Sequence, residues 1–195
     1  MKLSKMVWVS CSLVLSVFMS CASSPAKTTT AAKGGVPENT TVLRQSIIDE
    51  AEKHIGKPYS SPPNVPSTFD CSGFVNHIFT KTANMPLSPS TKAYLNLGRE
   101  IDFKEAKPGD VLVFASQPGG SNVDHIAILH KKSANGELRG SHLIHAVSIP
   151  IQSATIKGDP NTAGVVIGEL GKRGDGKWQN EYFLSRYICT RRFID

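Results

Sequence analysis

The chain has 195 residues, 22 Lys and Arg against 16 Asp and Glu for a formal charge of +6, and four cysteines. That mildly basic balance comes with no dense Lys/Arg run interleaved with aromatics, so nucleic acid is not an expected partner. Cys11 and Cys21 fall in the leading segment, and the remaining pair, Cys71 and Cys189, is too few for a disulfide scaffold.

Lys2 and Lys5 precede an apolar run from Met6 to Met19, and Ser20-Cys21-Ala22-Ser23-Ser24 follows it. This pattern predicts an export signal over residues 1–20, because the run is shorter than the roughly 20 apolar residues a permanent span needs. The small residue before Cys21 resembles a lipoprotein processing site. Cleavage there makes Cys21 the lipid-bearing first residue and anchors the protein to a membrane surface of the cell envelope. Cleavage elsewhere would release a soluble protein. Loss of residues 1–20 removes two lysines and no acid, leaving a charge of +4. Residues 21–40, rich in Ser, Thr, Ala, Lys, Gly and Pro, predict a flexible tether. Residues 41–195 show no internal repeat and predict one domain, expected as a monomer.

Thr40 or Thr41 can cap a first helix on which Leu43, Ile47, Ala51 and Ile55 recur every four residues, ending at Gly56 just before Pro58. A loop with Pro58, Pro62, Pro63 and Pro66 leads to a second helix that opens at Cys71 and turns Phe74, Val75 and Ile78 inward. Residues 90–97 predict a short third helix stopped by Gly98. After Lys107-Pro108-Gly109-Asp110 the period becomes that of strands, at 111–115, 124–131, 142–148, 151–156, 163–170 and 186–193. Helices first and strands after predict an α+β domain, an antiparallel sheet with the N-terminal helices packed on one side. Gly109-Asp110 is expected as a turn that launches the central strand.

Cys71 lies in Phe69-Asp70-Cys71-Ser72-Gly73-Phe74-Val75, where an extended segment turns into a helix. The N–H groups of a first helical turn have no intrahelical partners and favour a thiolate there, so Cys71 is the candidate nucleophile. Gly73 is expected to leave room for a substrate. Candidate bases lie in Asp124-His125-Ile126-Ala127-Ile128-Leu129-His130 and in His142-Leu143-Ile144-His145. Asn135-Gly136 falls nearly midway between His125 and His145, so a hairpin there brings these two residues nearly opposite each other. A two-residue turn misses that register by one position and flips the face. A longer loop or a bulge is therefore required, and Gly140-Ser141 is the expected place. Alternation puts His130 and His142 on the other face, while His54 and His77 are expected as core or partly exposed histidines rather than catalytic ones.

The predicted chemistry has Cys71 attack an amide carbonyl as the thiolate of an ion pair with an imidazolium. His125 passes the proton on and His145 orients His125. Cys189 reads as a buried strand cysteine; its pairing with Cys71 is the alternative that would abolish the nucleophile. There is no CxxC and no HExxH, so neither a metal nor an organic cofactor is expected.

Four motifs occur in order: Gly56-Lys57-Pro58-Tyr59, Asp70-Cys71-Ser72-Gly73-Phe74-Val75, Lys107-Pro108-Gly109-Asp110-Val111-Leu112-Val113-Phe114, and His125-Ile126-Ala127-Ile128 with Ile144-His145-Ala146. Together they resemble the NlpC-type bacterial cell-wall cysteine peptidases, a family with a reduced papain-like fold. The likeness spans most of residues 41–195. It implies a peptidoglycan hydrolase acting on stem peptides, at the bond between D-glutamate and the following diamino acid. It also implies that Tyr59, Asp70 and Ser72 line the substrate pocket. Asp70 as a helix cap and Tyr59 as a packing aromatic stand beside that assignment. The same thiol could serve an N-acetylmuramoyl-L-alanine amidase or an acyltransferase, and a wall-binding lipoprotein without chemistry is the reading from another class. Two segments depart from the family: Ser60-Ser61-Pro62-Pro63-Asn64-Val65-Pro66 replaces a glycine-rich stretch, and 156–181 is longer than a minimal member needs.

Overall fold

The computed structural model describes residues 38–148, 153–159, 161–173 and 182–195. The expected export signal, Cys21 and the tether as far as residue 37 lie outside these residues, as do 174–181 of the long late segment. Helix α1 (Glu38–Glu52) opens three residues before the expected domain start and stops one turn earlier than the four-residue pattern suggested. The chain then turns through Lys53 to Gly56, where φ is +85° and only glycine sits without strain. Ile47, Ile48 and Ala51 form its buried stripe.

Helix α2 (Cys71–Ala83) is capped by Asp70, whose carboxylate accepts from the Gly73 N–H at 2.6 Å, and ends at Asn84 in the left-handed region. The expected third helix is a 3₁₀ turn, Thr91–Leu95. Seven strands follow among the described residues: β1 (Arg99–Ile101), β2 (Val111–Ala115), β3 (Val123–Lys131), β4 (His142–Val147), β5 (Ser153–Lys157), β6 (Gly164–Arg173) and β7 (Tyr187–Arg192). They make one antiparallel sheet in the order β1-β7-β2-β3-β4-β6-β5. Strand β1 was not anticipated, because three residues reading Arg-Glu-Ile carry no period; its pairing with β7 makes it a strand.

Both faces of the sheet are covered. Val111, Val113, Ile126, Ile128, Ile144, Ala146, Val165 and Ile167 meet Phe74, Val75, Ile78 and Phe79 of α2 and the buried stripe of α1. The opposite face carries Leu112, Phe114, Ala127, Leu129 and Leu143 beneath Phe103, Phe183, Leu184 and Tyr187. The helices thus pack on one side, and all five residues of β2 are buried. A fully buried Asp110 launches that strand, its carboxylate held by Arg44 of α1 at 2.9 Å, by Arg192 of β7 at 2.8 Å and by the Lys107 N–H at 2.8 Å. Burial of an ionised carboxylate is tolerated only with such partners.

Candidate active site

Cys71 is the first residue of α2 and Asp70 its cap, so local sequence alone fixes the thiol at a helix start. Cys71 is 7% exposed and packs into the core between α2 and the sheet. Its Sγ donates to the carbonyl of Asp124 at 4.0 Å. The backbone N–H groups of Ile126 and Ser72 act on the same sulfur, each lowering its pKa. The thiol therefore lies against the main chain on both sides of His125.

Strand β3 is irregular at that point. Phe114 of β2 faces His125, but the next residue, Ala115, faces Val123, so β3 carries one extra residue at Asp124. As a result Val123 and Ile126, three positions apart, both face the helices. A bulge that re-aims a side chain is a common device beside reactive groups.

A second bulge decides the meeting of the two imidazoles. Ile128 pairs with Ile144 and Leu129 with Leu143, whereas Lys131 pairs with His142, so the extra residue is His130 and not the expected Gly140-Ser141. Continuing that register sets His145 opposite Ala127, with His125 two residues further along the same face. The rings meet diagonally, His125 Nε2 lying 2.9 Å from His145 Nδ1. His130 and His142 turn to the other face, stacked at 6.4 Å, where His130 bonds Glu52 of α1 at 2.8 Å.

Phe183 covers the two imidazoles, its ring centroid 5.2 Å from that of His125 and 5.3 Å from that of His145, and it touches Phe114 at 5.2 Å. Sequence reasoning missed this residue; Tyr182-Phe183 just ahead of β7 was the available signal. Burial holds His145 well below the ordinary histidine range, aided by the nearby His125, and brings His125 down to about 4. Burial also pushes the Cys71 thiol up to about 11, against the lowering effect of the Ile126 and Ser72 N–H groups. Burial thus works against both charged partners of the expected thiolate–imidazolium pair, because desolvation penalises each charged form.

Asp70 and Ser72 are engaged within the protein. Ser72 is 4% exposed and donates to the Pro89 carbonyl at 2.7 Å, 3.2 Å from Asp70 Oδ1. The space at Gly73 is taken by that cap rather than left for substrate, since a Cβ would meet Asp70 Oδ1 at 2.9 Å and Pro63 Cγ at 3.0 Å. Tyr59 is half-buried beside the same cluster. Its hydroxyl pKa is raised by burial first and then by Cys71, Asp70 and Asp124, which sets it in the thiol's electrostatic neighbourhood. The fully buried Tyr94, unremarked in the sequence, is raised for the same first reason and then by Cys71 and Asp70. Cys189 is a free, buried thiol, and Cys71 is free as well.

The model of the NlpC/P60 family matches residues 56–166. Over 82 residues the chain is 42% identical to the probable endopeptidase p60 of Listeria monocytogenes, covering 42% of this chain and 16% of that protein. Over 71 residues it is 37% identical to the gamma-DL-glutamyl hydrolase of Bacillus subtilis, covering 36% of this chain and 17% of that one. The chain thus spans about a sixth of the length of these curated relatives. Among solved structures, an NlpC/P60 family protein from Bacillus cereus aligns over 78% of this chain and 40% of its own, with a TM-score of 0.60 at 20% identity, a likeness of fold.

Proposed function

Since the chain belongs to the NlpC/P60 family, we propose that it is a cell-wall thiol endopeptidase that cleaves peptidoglycan stem peptides at the amide joining D-glutamate to the next diamino acid. The observation that carries this reading is the thiol of Cys71 seated against the strand that bears His125, with His125 itself tied to His145. The name of the B. subtilis relative, a gamma-DL-glutamyl hydrolase, supports a linkage through glutamate.

In this mechanism the resting pair is neutral. His125 carries its proton on Nε2 and donates it to His145 Nδ1, which leaves His125 Nδ1 as the base. As Sγ attacks the carbonyl carbon, its proton moves to Nδ1 and the oxyanion takes the Cys71 main-chain N–H at the helix start. The C–N bond then breaks, His125 gives the proton to the leaving amine, and water attacks the thioester to free the acid and restore the thiol. A positioned acid/base of this kind is worth on the order of 10²–10⁴ in rate. Tyr59 contacts substrate, while Asp70 and Ser72 act by fixing the start of α2. Residues 1–20 export the chain, and a lipid on Cys21 holds it at the envelope membrane.

Mass spectrometry of digested muropeptides tests the reading. Glycans left carrying dipeptides, lost with Cys71→Ala, are expected. Free stem peptides would replace it with an amidase, and equal sedimentation with peptidoglycan without digestion by either protein would replace it with a wall-binding module.

A further inference from the structure

Behind the segment that delivers Cys71, three side chains gather from the end of α1, the turn after it and α2. Glu50 lies in the last turn of α1 and His54 in the turn that follows it, and His77 approaches from α2, its ring edge-on to His54 at 5.0 Å. One ligand atom from each of the three lies within 4.8 Å of the others. Glu50 and His54 are each only 5% exposed. His54 Nδ1 and His77 Nε2 are buried and, among the described residues, have no hydrogen-bond partner. Such orphaned nitrogens cost free energy unless something binds them.

We propose that Glu50, His54 and His77 form a transition-metal site that takes Zn²⁺ and clips α1 to α2. Two imidazoles and a carboxylate are a zinc donor set, not one for calcium or magnesium, which prefer oxygen ligands alone. Both imidazoles are held neutral, the ligand form, by burial in the first place. Phe69 and Phe74 wall the site at 5.1 and 6.4 Å from the His54 ring, excluding water.

In the structure Glu50 is neutralised by Lys81 at 2.6 Å and Lys53 at 2.9 Å. Their side chains are 56% and 67% exposed, so a dication can displace both ammoniums into water at little cost. Zinc bonds of about 2.0–2.2 Å require the ligand atoms to draw closer, which side-chain rotation supplies. Neither CxxC nor HExxH spacing is involved: the set is Glu50 at the end of one helix, His54 in the turn after it and a histidine from another helix, so no local motif announces it.

The test uses the full chain carrying Cys71→Ala, which removes the thiol as a competing ligand. Stripped protein is titrated with Co²⁺ and with Zn²⁺, reading visible cobalt absorption, stoichiometry and melting temperature. Expected are one ion per chain at micromolar concentration, and a rise in Tm of roughly 5–10 °C at a hundredfold excess over Kd. His77→Gln and His54→Gln should each abolish the absorption and the rise, while leaving the metal-free Tm within a few degrees. If either variant is unfolded, Glu50→Gln serves instead and should likewise abolish both signals. The absence of stoichiometric binding overturns the proposal, as does binding that survives these substitutions and is lost with His130→Ala. The site is independent of the hydrolytic reading, since neither its ligands nor its readouts involve turnover.

Discussion

In the proposed reaction Cys71 and His125 exchange a proton, and burial disfavours the charged form of each. The thiol is pushed up to about 11 and the imidazole down to about 4, in both cases by burial. Because the histidine is depressed, its neutral, base-competent form persists well below the ordinary value of about 6.5 and is lost only near 4. The profile of kcat/KM, which reports free-enzyme groups, should therefore hold to about pH 5 and fall toward 4. Iodoacetamide should alkylate the resting thiol slowly at pH 7, rising about tenfold per pH unit up to 10. An acid limb near 6.5 would overturn the depressed imidazole, and alkylation already fast and flat with pH between about 5 and 8 would restore the ion pair and sink the neutral one. Phe183 covers the His125 ring, so Phe183→Ala should move the acid limb up toward 6.5 while Phe183→Leu leaves it low, as seen in kcat/KM profiles and in NMR titration of the imidazole.

At the level of helices and strands, the start of α2 does the positioning. An Asn caps as well as an Asp, so Asp70→Asn should keep stability and turnover, whereas Asp70→Ala should lose about 1 kcal/mol in urea denaturation. A raised KM in Asp70→Asn at unchanged stability would instead mean that the carboxylate touches substrate. This start was legible because capping is local: Asp70 and the apolar spacing of Phe74, Val75 and Ile78 suffice. The pairing of His125 with His145 was legible as an approach but not as a register. Parity demanded an extra residue, and alternation cannot say which residue bulges; the ladder chose His130 over the glycine end of the loop. Strand β1 and the cover by Phe183 were invisible for a related reason, since both exist only through partners far along the chain.

For the molecule as a whole, the Asp110 carboxylate joins the helical layer to the sheet, with Arg44 reaching from α1 and Arg192 from β7. Its side chain is fully buried, and its two cationic partners are each 9% exposed. Asp110→Ala leaves both guanidiniums without a counter-charge and should cost about 3–5 kcal/mol, read as a lowered urea midpoint. A loss under 1 kcal/mol would show that the layers are held by apolar packing alone. The expected turn at Gly109-Asp110 was correct in place, but the burial of its acid depended on two arginines distant in sequence, which no local pattern could join to it.

The sheet's outer margin at β1 has one more consequence. That strand is three residues long, with Arg99 and Glu100 pointing outward and Glu100 linked to Arg191 at 2.9 Å. A neighbouring molecule seeking to add laterally would have to strip water from these ions for only a few new backbone bonds, so this margin makes a poor template for fibre growth.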